Sequence, residues 1–151
     1  MVGDIGDELR ARRQGESGHR TVPHTADTRV QAWGTTRERC LAEAVRGMVE
    51  AFADVSEAHP SGVERVRLGP GGDEELLTAL LDEVIYRVEV AGRIPVEVEV
   101  EPSGGGLEVR LSLADLTQAT VTGAAPKGVS WQGLRLGPDP YGWSCSVIVD
   151  V

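Results

Sequence analysis

The run Val96-Glu97-Val98-Glu99-Val100-Glu101 alternates valine with glutamate without a break. Successive side chains of an extended strand point to opposite faces, so this pattern separates all the valines from all the glutamates. One face is then buried and the other is wet. Pro95 suits the first position of such a strand. Pro102 to Gly106 reads as a turn, and Leu107, Val109 and Leu111 mark a returning strand. The pair is a hairpin, which commits this part of the chain to antiparallel sheet.

That sheet needs a partner layer, and two segments offer one. Leu76, Leu77, Leu80, Leu81, Val84, Ile85 and Val88 recur at helical spacing, with Asp73 as a candidate N-cap and Gly92 as a stop. Leu41, Ala44, Val45, Met48, Val49 and Phe52 form a second stripe that ends near Asp54. Before it, Thr35-Thr36-Arg37-Glu38 has the pattern of a capping box closed by Thr35 and Glu38. Further strands are expected at Thr28–Trp33, Val63–Leu68, Gly128–Leu136 and Trp143–Val151. Gly69 to Gly72 and Gly137 to Gly142 supply turns, and residues 115–126 read as a long polar connection. The expected fold class is α+β: a single domain with a mostly antiparallel β-sheet and two amphipathic helices packed on it. Residues 1–19 show no sustained apolar face and are expected to be a flexible tail, leaving 20–151 as the folded domain.

Composition narrows the function. The 151 residues suit one core, at 40% hydrophobic. Lys and Arg total 15 against 24 Asp and Glu, and Lys127 is the one lysine. A primary grip on nucleic acid, which needs clustered positive charge, is disfavoured; cations or a basic partner suit the surface better. No apolar run approaches a membrane span, and Met1 to Arg20 lacks a signal-peptide pattern, so the expectation is a cytoplasmic protein without a membrane role. Cys40 and Cys145 are far apart in sequence and are expected to be reduced thiols.

The residues that can carry chemistry sit at two strand ends. Asp27 lies at the mouth of the first strand, directly after His24-Thr25-Ala26. The chain ends on Val147-Ile148-Val149-Asp150-Val151. The Asp150 side chain and carbonyl and the terminal carboxylate of Val151 concentrate oxygen donors there. If the two strands are neighbours, Asp27 joins them around a hard divalent cation, Ca²⁺ or Mg²⁺/Mn²⁺. The competing readings are an Asp27 side chain that caps its own turn and a frayed, solvated chain end. His24 is read as bracing the turn rather than as a ligand, since the histidines lack zinc-site spacing. Cys40 reads as a small buried residue, not a nucleophile. Gly69–Gly72 and Gly104–Gly106 lack the lysine and spacing of phosphate loops. Trp33, Trp131 and Trp143 are read as core residues rather than as a platform for stacking bases.

Four blocks of residues resemble the archease family. They are His24-Thr25-Ala26-Asp27 with Ala32-Trp33-Gly34; Gly47-Met48 on to Phe52-Ala53-Asp54; Leu80-Leu81-Asp82-Glu83-Val84-Ile85-Tyr86; and Lys127-Gly128-Val129-Ser130-Trp131-Gln132-Gly133-Leu134 leading to Gly142-Trp143 and the terminal strand. The resemblance spans roughly Arg20 to Val151. It implies a protein that is not itself an enzyme but activates an RtcB-type tRNA-splicing ligase, which joins RNA ends with GTP and Mn²⁺. RNA would be met only indirectly, through that ligase. The family's metal site corresponds to Asp27, Asp150 and Val151, with His24 as a possible support. Gln132 stands where many members carry histidine. A stand-alone metal-dependent hydrolase and a general chaperone or adaptor are the alternatives.

Overall fold

The computed structural model describes residues 5–24 and 27–151. Its elements in chain order are α1 (Ile5–Arg13), β1 (Gly18–His24), β2 (Asp27–Gly34), α2 (Arg37–Glu50), β3 (Ala53–Asp54), β4 (Gly62–Leu68), α3 (Asp73–Glu89), β5 (Arg93–Ser103), β6 (Gly106–Asp115), β7 (Thr120–Val121), β8 (Gly128–Asp139) and β9 (Gly142–Asp150). A short 3-10 turn, Leu116–Gln118, lies between β6 and β7. The fold is the expected α+β type, with every strand pair antiparallel.

The strands form two main sheets, in the orders β1-β2-β9-β8 and β4-β6-β5, with β3 and β7 as a separate pair. The alternating run lies in β5, where Val98 is buried and Glu97 and Glu99 face Ser112 and Arg110 of β6. The helix α2 packs on β2 and also meets β1, β9 and β5; α3 meets β8, β5 and β4. Their stripes meet in one core: Leu41, Met48 and Phe52 of the α2 region, Leu77, Leu80 and Leu81 of α3, and Leu107, Leu111 and Leu113 of β6 are all essentially inaccessible.

Three local expectations change. The N-cap of α2 is Thr36, not Thr35: its hydroxyl accepts the Arg39 N–H at 3.1 Å. Glu38 does not close the box, because its carboxylate takes the Arg37 guanidinium at 2.8 Å. At α3 the N-cap is Gly72, and Asp73 is the first helical residue, where it binds Arg37 at 2.9 Å. Trp131 is not a core residue. The β8–β9 pairing skips from Ser130 opposite Ile148 to Arg135 opposite Ser146, so β8 carries extra residues that leave the ladder. That bulge leaves Trp131 59% exposed.

The largest difference is at the N-terminus. Of the expected flexible tail, residues 5–13 form α1 and residue 18 already begins β1; Met1 to Asp4 lie outside the described residues. The helix is held by charge rather than by an apolar stripe, which is why periodicity does not reveal it. Arg12 is buried; it donates to both oxygens of Asp139 at 2.7 and 2.6 Å and to the Trp143 carbonyl at 3.2 Å, with its guanidinium 5.4 Å from the Tyr141 ring centre. Glu8 of α1 also pairs with Arg20 of β1.

Candidate functional site

Strands β2 and β9 are direct neighbours at the centre of the larger sheet. Their ladder ends on Asp27 opposite Asp150, with Thr28 opposite Val149 next to it. Residues directly opposite each other in an antiparallel pair present their side chains on the same face, about 4.5–5.5 Å apart at Cβ. The same row continues to Gly128 of β8, paired with Asp150, and to the backbone of His24 of β1, paired with Asp27. Thr25 and Ala26, the middle of the sequence motif, lie outside the described residues.

Two carboxylates facing each other in this register repel, which is unfavourable in a sheet unless a positive charge lies between them. Among the described residues neither side chain has an ion pair or a hydrogen bond. Arg29, two residues along the same face as Asp27, turns to the Ser146 hydroxyl at 3.0 Å instead. Asp27 is half-buried and Asp150 is exposed. At the β8 position beside Asp150 there is only glycine: a Cβ on Gly128 would stand 3.9 Å from Asp150 Oδ2.

The donor set is all oxygen, which fits a hard divalent cation and not zinc. One donor counted from the sequence is already engaged: the Asp150 carbonyl accepts the Lys127 N–H at 2.7 Å. Among the described residues no three His, Cys, Asp or Glu groups come together as a metal cluster. A cation held between the two side chains would need further oxygens, and Val151 is the adjoining residue. The pair stands at the sheet's end rather than in a cavity. A hollow of about 530 Å³ lies elsewhere, between α2 and β5, lined by Glu38, Glu43, Arg46 and Glu99 among others.

A second charged cluster escapes sequence reasoning. His19 of β1 has Nδ1 2.8 Å from Glu43 and its Nε2 against Glu50, both on α2. The hydrogen bond to Glu43 leads in raising the imidazole above its usual 6.5, against the opposing effect of burial. Burial alone would raise the Glu43 carboxyl, but His19 and Arg46 hold it below its usual value. Glu43 and Glu50 are two helical turns apart and so share a face. That spacing was visible; the histidine that joins them was not, because β1 itself had not been expected. Cys40 and Cys145 are also brought together: both are free and buried, the Cys40 thiol donates to the Ala32 carbonyl at 3.5 Å, and the neighbouring Cys145 together with burial pushes the Cys40 thiol up.

Residues 19–151 match the model of the archease protein family (MTH1598/TM1083). A probable archease of Mycobacterium tuberculosis is 42% identical over 135 residues, covering 89% of this chain and 75% of that protein. An archease of Methanosarcina barkeri is 27% identical over 139 residues, covering 86% and 93%. In three dimensions the chain is similar to Methanobacterium thermoautotrophicum protein 1598, with a TM-score of 0.66 at 19% identity over 89% of this chain and 99% of that one. It is also similar to a Thermotoga maritima archease described as a possible chaperone, with a TM-score of 0.64 at 17% identity over 86% and 94%.

Proposed function

The chain belongs to the archease family, and from that premise we propose that it is a metal-binding protein cofactor of an RtcB-type RNA ligase, promoting guanylylation of the ligase and its repeated turnover in tRNA splicing or RNA repair. The observation that carries the reading is the cross-strand register of Asp27 with Asp150, two carboxylates side by side and, among the described residues, without an ion-pair partner. A divalent cation, Ca²⁺ or Mg²⁺/Mn²⁺, bound by Asp27, Asp150 and a main-chain oxygen of Val151 would relieve their repulsion and give an acidic tip a local positive centre. Asp27 and Asp150 hold their positions through the β2–β9 ladder, and the Lys127 N–H, just before β8, fixes the Asp150 backbone. The tip would act on the ligase's nucleotide site, not on a substrate of its own.

The test is single-turnover guanylylation of the cognate ligase with GTP and Mn²⁺, with and without this protein. Wild type is expected to stimulate, and Asp27→Ala and Asp150→Ala are expected to remove stimulation with little change in melting temperature. Stimulation that survives Asp27→Ala would move the role to a chaperone or adaptor. Phosphate-ester turnover by the purified chain alone would favour a hydrolase.

A further inference from the structure

The outer face of the β1-β2-β9-β8 sheet, away from α2, carries a second arrangement that the carboxylate pair does not use. Arg29 of β2 donates to the Ser146 hydroxyl at 3.0 Å, and Arg135 of β8 to the Ser144 hydroxyl at 3.4 Å. Ser144 and Ser146 are alternate residues of β9 and lie on the same face, so two guanidinium groups flank one strand from either side. Carboxylates outnumber cationic side chains in this chain, and most of its arginines are ion-paired. Among the described residues these two have hydroxyl partners and no carboxylate.

The surroundings are also rich in donors. A groove of about 330 Å³ beside them is lined by Arg20, Gln31, Trp33, Arg135 and Ser144, with Glu8 and Arg12 at the α1 side. Glu8 is neutralised there by Arg12 and Arg20. Behind the lining, Arg20 Nε and Trp33 Nε1 are buried without an acceptor among the described residues. The bulge that exposes Trp131 leaves the ladder at Ser130, in the row of Ile148 and Arg29. A ligand that suits this patch brings several acceptor oxygens and a negative charge. Planar guanidinium forks match phosphate bidentately, and hydroxyls add single donors.

We infer that Arg29, Arg135, Ser144 and Ser146 form a binding site for a phosphate group, with a nucleotide as the source tested first. The site lies on the same face as the carboxylate pair, further along β2 and β9, uses other side chains and does not rest on the ligase reading. Net charge argues only against long-range attraction of nucleic acid; a local pair of guanidinium groups is a short-range contact that the overall charge does not remove.

The experiment is amide-resolved NMR titration of the full chain at low salt with AMP, adenosine, inorganic phosphate, a 5′-phosphorylated RNA trinucleotide and a glutamate-rich peptide. AMP is expected to shift the Arg29, Ser144, Ser146 and Arg135 signals, and adenosine is expected to leave them in place. The double variant Arg29→Gln with Arg135→Gln should weaken AMP binding at least tenfold, while Asp27→Asn keeps it. An RNA end that binds more tightly than AMP, with a steeper salt dependence, assigns the phosphate to a strand; equal binding assigns it to free nucleotide. Adenosine as effective as AMP, an unaffected double variant, no shifts at millimolar AMP, or preferential capture of the acidic peptide would each overturn the site.

Discussion

The two faces of the β2–β9 pair are made by the same alternating strands and have opposite fates. The inner face, Thr28, Val30 and Ala32 with Cys145, Val147 and Val149, lies under α2; all but Thr28 are buried. The outer face, Asp27, Arg29, Gln31 and Trp33 with Ser144, Ser146, Ile148 and Asp150, is mostly polar. Its one charged helix, α1, is held by ion pairs rather than by apolar contact. Stability is concentrated on the first face and chemistry on the second. The fold can therefore hold two like charges at the end of a central ladder, because the apolar inner row fixes the backbone whatever the outer row costs.

The sharpest way to break the inner face is Leu41→Ala, a fully buried α2 side chain. It should cost about 2–5 kcal/mol, read by urea denaturation. On the outer face, Ser144→Ala should stay within about 0.5 kcal/mol, and a larger loss would erase the contrast. Arg12→Ala should cost about 1–3 kcal/mol by leaving a half-buried carboxylate unpaired. It should release α1, seen as faster amide hydrogen exchange over residues 5–13 with β2 and β9 still protected. Burial would raise the Asp139 carboxyl, but Arg12 and the Tyr141 N–H hold it below its usual 3.8. A lowered pKa means that its contribution is complete above 3.8 and is lost as pH falls through the lowered value, so α1 should loosen only in strong acid.

The inner face continues onto β1, where His19 lies opposite Ala32 and should respond to pH in the opposite sense. His19 is raised by its bond to Glu43, so the β1–α2 strap is fully present below the usual 6.5 and is lost as pH rises through the raised value. His19→Gln should flatten that slope at a cost on the order of 1 kcal/mol; thermal melts across neutral pH would read it, and an unchanged slope would remove the strap from the account. A small effect of opposite sign belongs to the carboxylate pair. Without divalent cations Asp27→Asn should stabilise the fold by about 0.2–1 kcal/mol, by removing repulsion. Adding Ca²⁺ or Mn²⁺ should then raise the melting temperature of wild type and not of the variant. A wild type indifferent to both ions would count against a cation between the strands.

Much of the fold was legible because its signals are local. The valine–glutamate alternation gave β5, the leucine stripe gave α3, and the glycine turns gave the hairpin boundaries, each from residues close in sequence. The cap of α2 was missed by one residue, since Thr35 and Thr36 both carry the needed hydroxyl and only the backbone angle at Thr36 decides between them. The helix α1 and strand β1 were missed because neither carries an apolar stripe; their partners, Asp139, Tyr141, Glu43 and Glu50, are far away along the chain.

By itself the sequence determined which segments alternate, which recur at helical spacing, and that acidic residues sit at the ends of two apolar strands. Those are properties of one strand or helix, set by side-chain direction and burial. Only the tertiary structure decided that β2 and β9 are neighbours, and in a register that sets Asp27 against Asp150 rather than one residue away. A shift of one residue would have turned one of the carboxylates to the opposite face. That register comes from packing Val30, Ala32, Val147 and Val149 beneath α2, an interaction between residues more than a hundred positions apart.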